Sequence, residues 1–251
     1  MRQLSLILCV FYGVILPFAG FCEDKPIVSS ATQQCLDCHG TYHPGIVADW
    51  KKSRHAVMTP EKAMTAATLA RKVSGTSPDT MPKDLLAVVV GCAECHTQRP
   101  KSHADTFSHN GFDVHVVVSP EDCATCHSRE RDQYGKNIMA HAWKNLAENK
   151  LYQDLEQSII GNPVRKSGKI VFDPPDALTN AETCFYCHGT KLIVTGFEKR
   201  NTDAGEMTFP VIDGWPNQGV GRINLDGSKG ACTACHNRHG FSMETARKPY
   251  T

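Results

Sequence analysis

The pattern Cys-x-x-Cys-His occurs five times in these 251 residues. The copies are CLDCH (Cys35, Cys38, His39), CAECH (Cys92, Cys95, His96), CATCH (Cys123, Cys126, His127), CFYCH (Cys184, Cys187, His188) and CTACH (Cys232, Cys235, His236). Composition alone would give roughly 0.03 copies by chance, so the repetition constrains everything else about the chain. It takes up ten of the twelve cysteines. The spacing is the attachment signature of a c-type haem. Each thiol adds to one porphyrin vinyl group, so the two sulfurs must span one ring edge. The adjacent histidine then lies under the iron as proximal ligand. A zinc site would use a second, separate ligand pair, and a thioredoxin-like redox pair would occur once beside a βαβ pattern. Five covalent haem c groups are therefore expected, with His39, His96, His127, His188 and His236 on the irons.

Five porphyrins replace much of an ordinary hydrophobic core. Gly, Pro and polar residues are common, so the expected fold class is mainly α: short helices and irregular loops around haems, with little β-sheet. Ser30-x-x-Gln33 and Thr179-x-x-Glu182 read as capping boxes ahead of two attachment sites, and Ser119-Pro120-Glu121-Asp122 reads as a third helix start. Helices are expected over 45–58, 60–73 and 135–160, the last being the longest and ending at Gly161 and Pro163. Residues 110–120 read as extended, 168–178 as a strand and turn, and Thr195-Gly196 as the turn of a small hairpin. No linker stands out, and the motif spacings vary too much for a solenoid, so 23–251 reads as one domain.

Residues 1–22 join a positive Arg2 to an apolar stretch, Leu4 to Phe18, and then small residues, the pattern of a secretory signal peptide. The apolar stretch is short for a membrane anchor, the alternative reading. A lipoprotein reading of Cys22 is disfavoured by the bulk of Phe21 before it. Export to the periplasm or an equivalent compartment is expected, where c-type haems are attached. The net charge of +1 gives no reason to expect a nucleic-acid partner.

Seven histidines remain for the distal faces. His55 lies near the end of its expected helix, His141 on the long one, and His115 alternates with Val114 and Val116. His239 follows His236 by three residues, too close for the same iron, so it would serve a neighbouring haem. These four are the candidate distal ligands. His43, His103 and His109 are weaker candidates, the last two reading as loop residues. An iron with two histidines only carries electrons, whereas one histidine leaves a position for a small molecule. Few candidates lie near the fourth motif, so His188 marks the expected open iron.

The stretches CFYCHGT, GEMTFPVIDGWPNQGVGRINLDGS and CTACHNRHGFSMETARKPY, with YHPGIVADWKKSRHA and SPEDCATCH, resemble the octahaem hydroxylamine oxidoreductase family, which includes hydrazine-oxidising relatives. The resemblance implies a mostly helical, trimeric cytochrome whose fourth haem is catalytic, lacks a protein distal ligand and is crosslinked to a neighbouring subunit's tyrosine. By motif order that haem is held by Cys184, Cys187 and His188, and the other four motifs match bis-histidine electron-transfer haems. His239 matches a family distal ligand. The family continues past ARKPY into further haem motifs, so the chain is expected to correspond to the N-terminal part of such an enzyme. The implied activity is oxidation of hydroxylamine or hydrazine, with electrons passing to a redox partner cytochrome. A pentahaem electron carrier without catalysis, and a reductive nitrite or hydroxylamine reductase relative, are the competing expectations.

Overall fold

A computed structural model describes residues 26–67, 73 and 76–240 of the chain. Residues 1–22, read above as a signal peptide, the C-terminal side of the expected 60–73 helix and the ARKPY stretch lie outside these residues. Among the described residues the helices are α1 (Ser30–Tyr42), α2 (Pro44–Lys52), α3 (Arg54–Val57), α4 (Pro60–Thr65), α5 (Lys83–Leu86), α6 (Cys92–His96), α7 (Pro120–Gly135), α8 (Ala142–Ala147), α9 (Lys150–Ile160), α10 (Ala177–Glu182) and α11 (Cys184–His188). Six strands pair as three antiparallel hairpins: β1 (Phe107–His109) with β2 (Phe112–Val114), β3 (Asn162–Lys166) with β4 (Lys169–Asp173), and β5 (Ile193–Thr202) with β6 (Gly205–Asp213).

One helical turn suffices to set the two cysteines and the histidine of a motif. α6 and α11 consist of the motif alone. The third motif sits in α7, which kinks at His127 (φ −114°, ψ 46°). The fifth begins as a 3₁₀ turn, Cys232–Ala234. α11 stops at Gly189, whose φ of +96° suits a residue without a Cβ.

Several expected boundaries differ. The 45–58 helix is interrupted at Ser53, which is extended (φ −77°, ψ 153°) and caps α3. The long 135–160 helix is three pieces, a 3₁₀ turn at Ile138–His141 followed by α8 and α9, because Asn137 and Asn149 each accept a backbone N–H two residues on and restart the helix. Gly161 does end α9, but Pro163 begins a hairpin instead of a loop. The cap of α1 is Ser29, one residue before the expected Ser30, and Thr179 lies inside α10, whose cap is Asp176. Ser119 starts α7 as expected, its N–H donating to Asp122 Oδ2 at 2.7 Å. The hairpin expected at Thr195-Gly196 instead turns between Thr202 and Gly205, and the pairing slips by one residue at Thr195, a bulge.

The apolar core is small. Trp50, Ala56 and Val89 pack together with Val28 and Leu36 against them, and Trp50 Nε1 donates to the Val90 carbonyl at 3.0 Å. A buried polar clasp ties α1 to α6. Glu94 accepts from Ser29 Oγ (2.5 Å), Thr32 Oγ1 (2.6 Å) and Gly91 N (2.9 Å), and Thr32 Oγ1 accepts from Ala93 N (3.0 Å). This clasp fixes the first attachment helix on the second.

Candidate functional site

None of the ten motif cysteines forms a disulfide. Burial pushes Cys92 and Cys95 up to about 12, and Cys35 and Cys126 upward as well. They stay protonated, the form in which the S–H adds across a vinyl group. The motifs are clustered in space, though dispersed along the chain. Cys35 is an electrostatic neighbour of Cys92, Cys95 of Cys123, and the Cys123 and Cys232 thiols are hydrogen-bonded to each other.

Histidine rings meet in pairs around these cysteines. The centroids of His39 and His109 are 6.0 Å apart, those of His55 and His127 6.2 Å, and those of His96 and His239 6.2 Å. Two imidazoles on opposite faces of one metal, each with a bond of about 2 Å, place their ring centroids about 6 Å apart. The residues present therefore fit axial ligation of a haem iron, and each pair joins a motif histidine to one distant in sequence.

Hydrogen bonds orient these rings. His96 Nδ1 donates to the His115 carbonyl at 2.9 Å, and His239 Nδ1 to the Gly240 carbonyl at 3.0 Å, leaving both Nε2 atoms for a metal. His115 also has its ring 6.0 Å from His96, and its backbone carbonyl is the group on His96 Nδ1. His39 Nδ1 is 2.9 Å from His43 Nδ1, and His127 Nδ1 is 4.0 Å from Glu130. Burial, helped by neighbouring positive groups, holds His39 and His55 down at about 4, and burial does the same for His96. These rings are neutral near pH 7, which ligation requires.

His188 and His236 are exposed, and no histidine ring pairs with either among the described residues. The fourth motif is clamped from behind by residues 217–222. Val220 N donates to the Cys187 carbonyl (2.9 Å), Gly221 N to the His188 carbonyl (3.1 Å) and Asn217 Nδ2 to the Phe185 carbonyl (3.1 Å). A Cβ on Gly189 would collide with the backbone of Gly221 and Arg222. Arg222, 1% exposed, spans this clamp and the third motif by donating to the Asn217 carbonyl (2.9 Å), Asn224 Oδ1 (2.7 Å) and the Val118 carbonyl (3.0 Å). The same segment continues into the fifth motif, where Ala231 N donates to the Val220 carbonyl (3.2 Å). His141, with Nε2 on the Gly135 carbonyl (2.8 Å), lies in the turn leading into α8, whose first backbone amide faces Gly221.

Between the second and third motifs lies a buried ion cluster with no local sequence signal. His103 sits between Asp122 (3.1 Å) and Asp105 (3.7 Å), and Arg99 reaches Asp122 (3.3 Å) and Asp226 (3.5 Å). Burial opposes the charge on His103, but the two carboxylates outweigh it and raise its pKa to about 9. Burial likewise opposes ionisation of Asp105 and Asp122, yet His103 and backbone N–H donors hold both below the usual carboxylate range. His103, His115 and Asp122 bring ligand atoms within 4.8 Å of one another. The His103 and His115 rings, however, stack at 3.6 Å and 7°. A cation cannot lie in two parallel ring planes at once, so the cluster acts as an ion network.

Of the four expected distal histidines, the structure brings His55 and His239 to motif histidines, sets His115 beside His96 through its carbonyl, and leaves His141 without a ring partner in the described set. His109, which reads as a loop residue, is the ring facing His39. It ends strand β1, and only the hairpin's placement against α1 reveals it.

Two comparisons bear on the site. The family model for cytochrome c554 and c-prime matches residues 122–208, a span that includes the third and fourth motifs. A solved structure described as a hypothetical multiheme protein is similar to 90% of this chain, with 43% sequence identity and a TM-score of 0.79. The chain spans 43% of the length of that structure.

Proposed function

We propose, from the premise that this chain is a multihaem c-type cytochrome that transfers electrons, that it carries five covalent haems in a connected array. The observation that carries this reading is the set of three histidine pairs at 6.0–6.2 Å, each holding one motif histidine. His39 and His109 would hold the first iron, His96 and His239 the second, and His127 and His55 the third. His115, with Nδ1 on the Val117 carbonyl (3.2 Å) and a buried, unpartnered Nε2, is oriented as a further ligand. His141 lies in the turn just before Ala142 and Trp143, whose backbone amides face Gly221 in the segment that leads into the fifth motif. The cysteine contacts order the array as first, second, third, fifth, because Cys123 touches Cys232. The fourth joins it through residues 217–231.

Bound haem supplies one-electron chemistry, and an iron with one histidine supplies a position for a small ligand. The exposed His188, unpaired among the described residues, favours the fourth site for that role. Motif order in the resembling family favours hydroxylamine or hydrazine as the substrate and oxidation as the direction. Export, a redox partner cytochrome and assembly as a trimer belong to the same reading. The chain's side of the work is to hold His188 by its clamp, keep the His39, His55 and His96 rings neutral and set neighbouring haems in contact.

Intact mass of the exported chain should show five haem increments on the ten cysteines. Electron paramagnetic resonance should show one high-spin ferric iron, and hydroxylamine should reduce the array. Five low-spin irons would establish a pentahaem carrier. Nitrite-dependent reoxidation without hydroxylamine-dependent reduction would select the reductive reading.

A further inference from the structure

Beside the fourth motif three buried polar atoms, Tyr152 Oη, Glu156 Oε1 and Asn180 Oδ1, have no well-aligned hydrogen-bond partner, although the Tyr152 hydroxyl approaches Cys184 and the Asn180 side chain approaches Glu156. Tyr152 and Glu156 are four residues apart on α9, so they share one face. Tyr152 lies against α11, its ring edge-on to Phe185 at 6.2 Å, with its hydroxyl beside the Cys184 sulfur. Asn180, on α10, is the side-chain neighbour of Glu156. Glu156 is 8% exposed and belongs to no ion pair among the described residues. A carboxyl buried in this way on a surface helix requires a partner or a proton.

We propose that Glu156, with Tyr152 and Asn180, is a proton-exchange site coupled to the oxidation state of the fourth haem. When that haem gains an electron from another haem of the array, the Glu156 carboxylate takes one proton from solvent. When the electron leaves, the carboxyl releases it. Tyr152 carries the coupling, since its hydroxyl is a neighbour of both the Glu156 carboxyl and the Cys184 sulfur. The inference rests on the reading of Cys184 and Cys187 as haem anchors.

The surroundings leave Glu156 to respond to the haem. Burial pushes its carboxyl upward, and Asn180 only partly offsets this. Burial, then Cys184 and Glu156, push the Tyr152 hydroxyl upward, so it remains a neutral donor. α8 and its C-cap contribute Lys144 and Glu148, which pair with each other at 3.7 Å. β4 meets α9 through Gln157 and the Phe172 carbonyl, and its Asp173 is engaged by Lys166 at 2.7 Å.

The test is redox titration of the haem-loaded full chain between pH 5 and 9, resolving the one-electron steps. One step should fall with pH by up to about 59 mV per unit, the one-electron constant for a tenfold change in proton concentration. Glu156→Gln should make that step flat and leave the others in place, while Glu156→Asp should restore a slope. Redox-difference infrared spectra of the wild type should show a protonated carboxyl band that Glu156→Gln lacks. A haem-bearing Cys184–Cys187 peptide from a chain whose slopes are unchanged by Glu156→Gln would overturn this inference alone. A haem-free peptide there would overturn the anchor reading and this inference together.

Discussion

Replacing Thr32 with valine tests whether the clasp between the first two attachment helices has the strength its geometry implies. Thr32 is fully buried, donates to Glu94 Oε2 at 2.6 Å and accepts from Ala93 N at 3.0 Å. Valine keeps the shape and removes the hydroxyl, so no cavity confuses the result. The change strands the Ala93 amide and removes one of the two donors to Glu94 Oε2. A buried group left unsatisfied costs about 1–3 kcal/mol, more when it is charged. The sum is a loss of roughly 2–5 kcal/mol. Denaturant unfolding of the haem-loaded chain, followed in the Soret band, measures it. Thr32→Ser, which keeps both hydrogen bonds and loses one methyl, should cost about 1 kcal/mol. Soret circular dichroism should also weaken in Thr32→Val, because the clasp fixes α1, which bears the first motif, on α6, which bears the second. A Thr32→Val chain within about 0.5 kcal/mol of the wild type would refute the argument, since that is the range of an uninvolved surface change.

Other outcomes follow from the same geometry. His109→Ala should turn one low-spin iron high-spin in electron paramagnetic resonance, and an unchanged spectrum would remove His109 as the partner of His39. The folded pKa of His103 is raised from 6.5 to about 9, so its stabilisation is complete below pH 6.5 and is lost as pH rises towards 9. Melting temperature should therefore fall across that window, and His103→Gln should flatten the fall. Gly189→Ala should strip haem from the fourth motif, because the new methyl meets the Gly221–Arg222 backbone and the left-handed φ is lost; haem counts by peptide mass would show it.

What the sequence made legible alone was the set of five local motifs and some of the helix starts beside them. A haem attachment site is local, because two thiols and an imidazole must meet one ring edge, and one helical turn does this wherever it lies in the chain. The start of α7 at Ser119 was legible from its cap and proline. Breaks inside helices were harder to see, since Asn137 and Asn149 compete with the helix only through side-chain geometry. Tertiary structure alone decided which histidine faces which. His109 and His39 are seventy residues apart in number, and no periodicity links them; the β1–β2 hairpin brings the ring into place. The contact of Cys123 with Cys232, and the gathering of Asp105, Asp122 and Asp226 around His103 and Arg99, are of the same kind. A second axial ligand needs only a nitrogen at the right point in space, and any fold that delivers one will do. The chain's linear order therefore leaves that choice open until the fold is made.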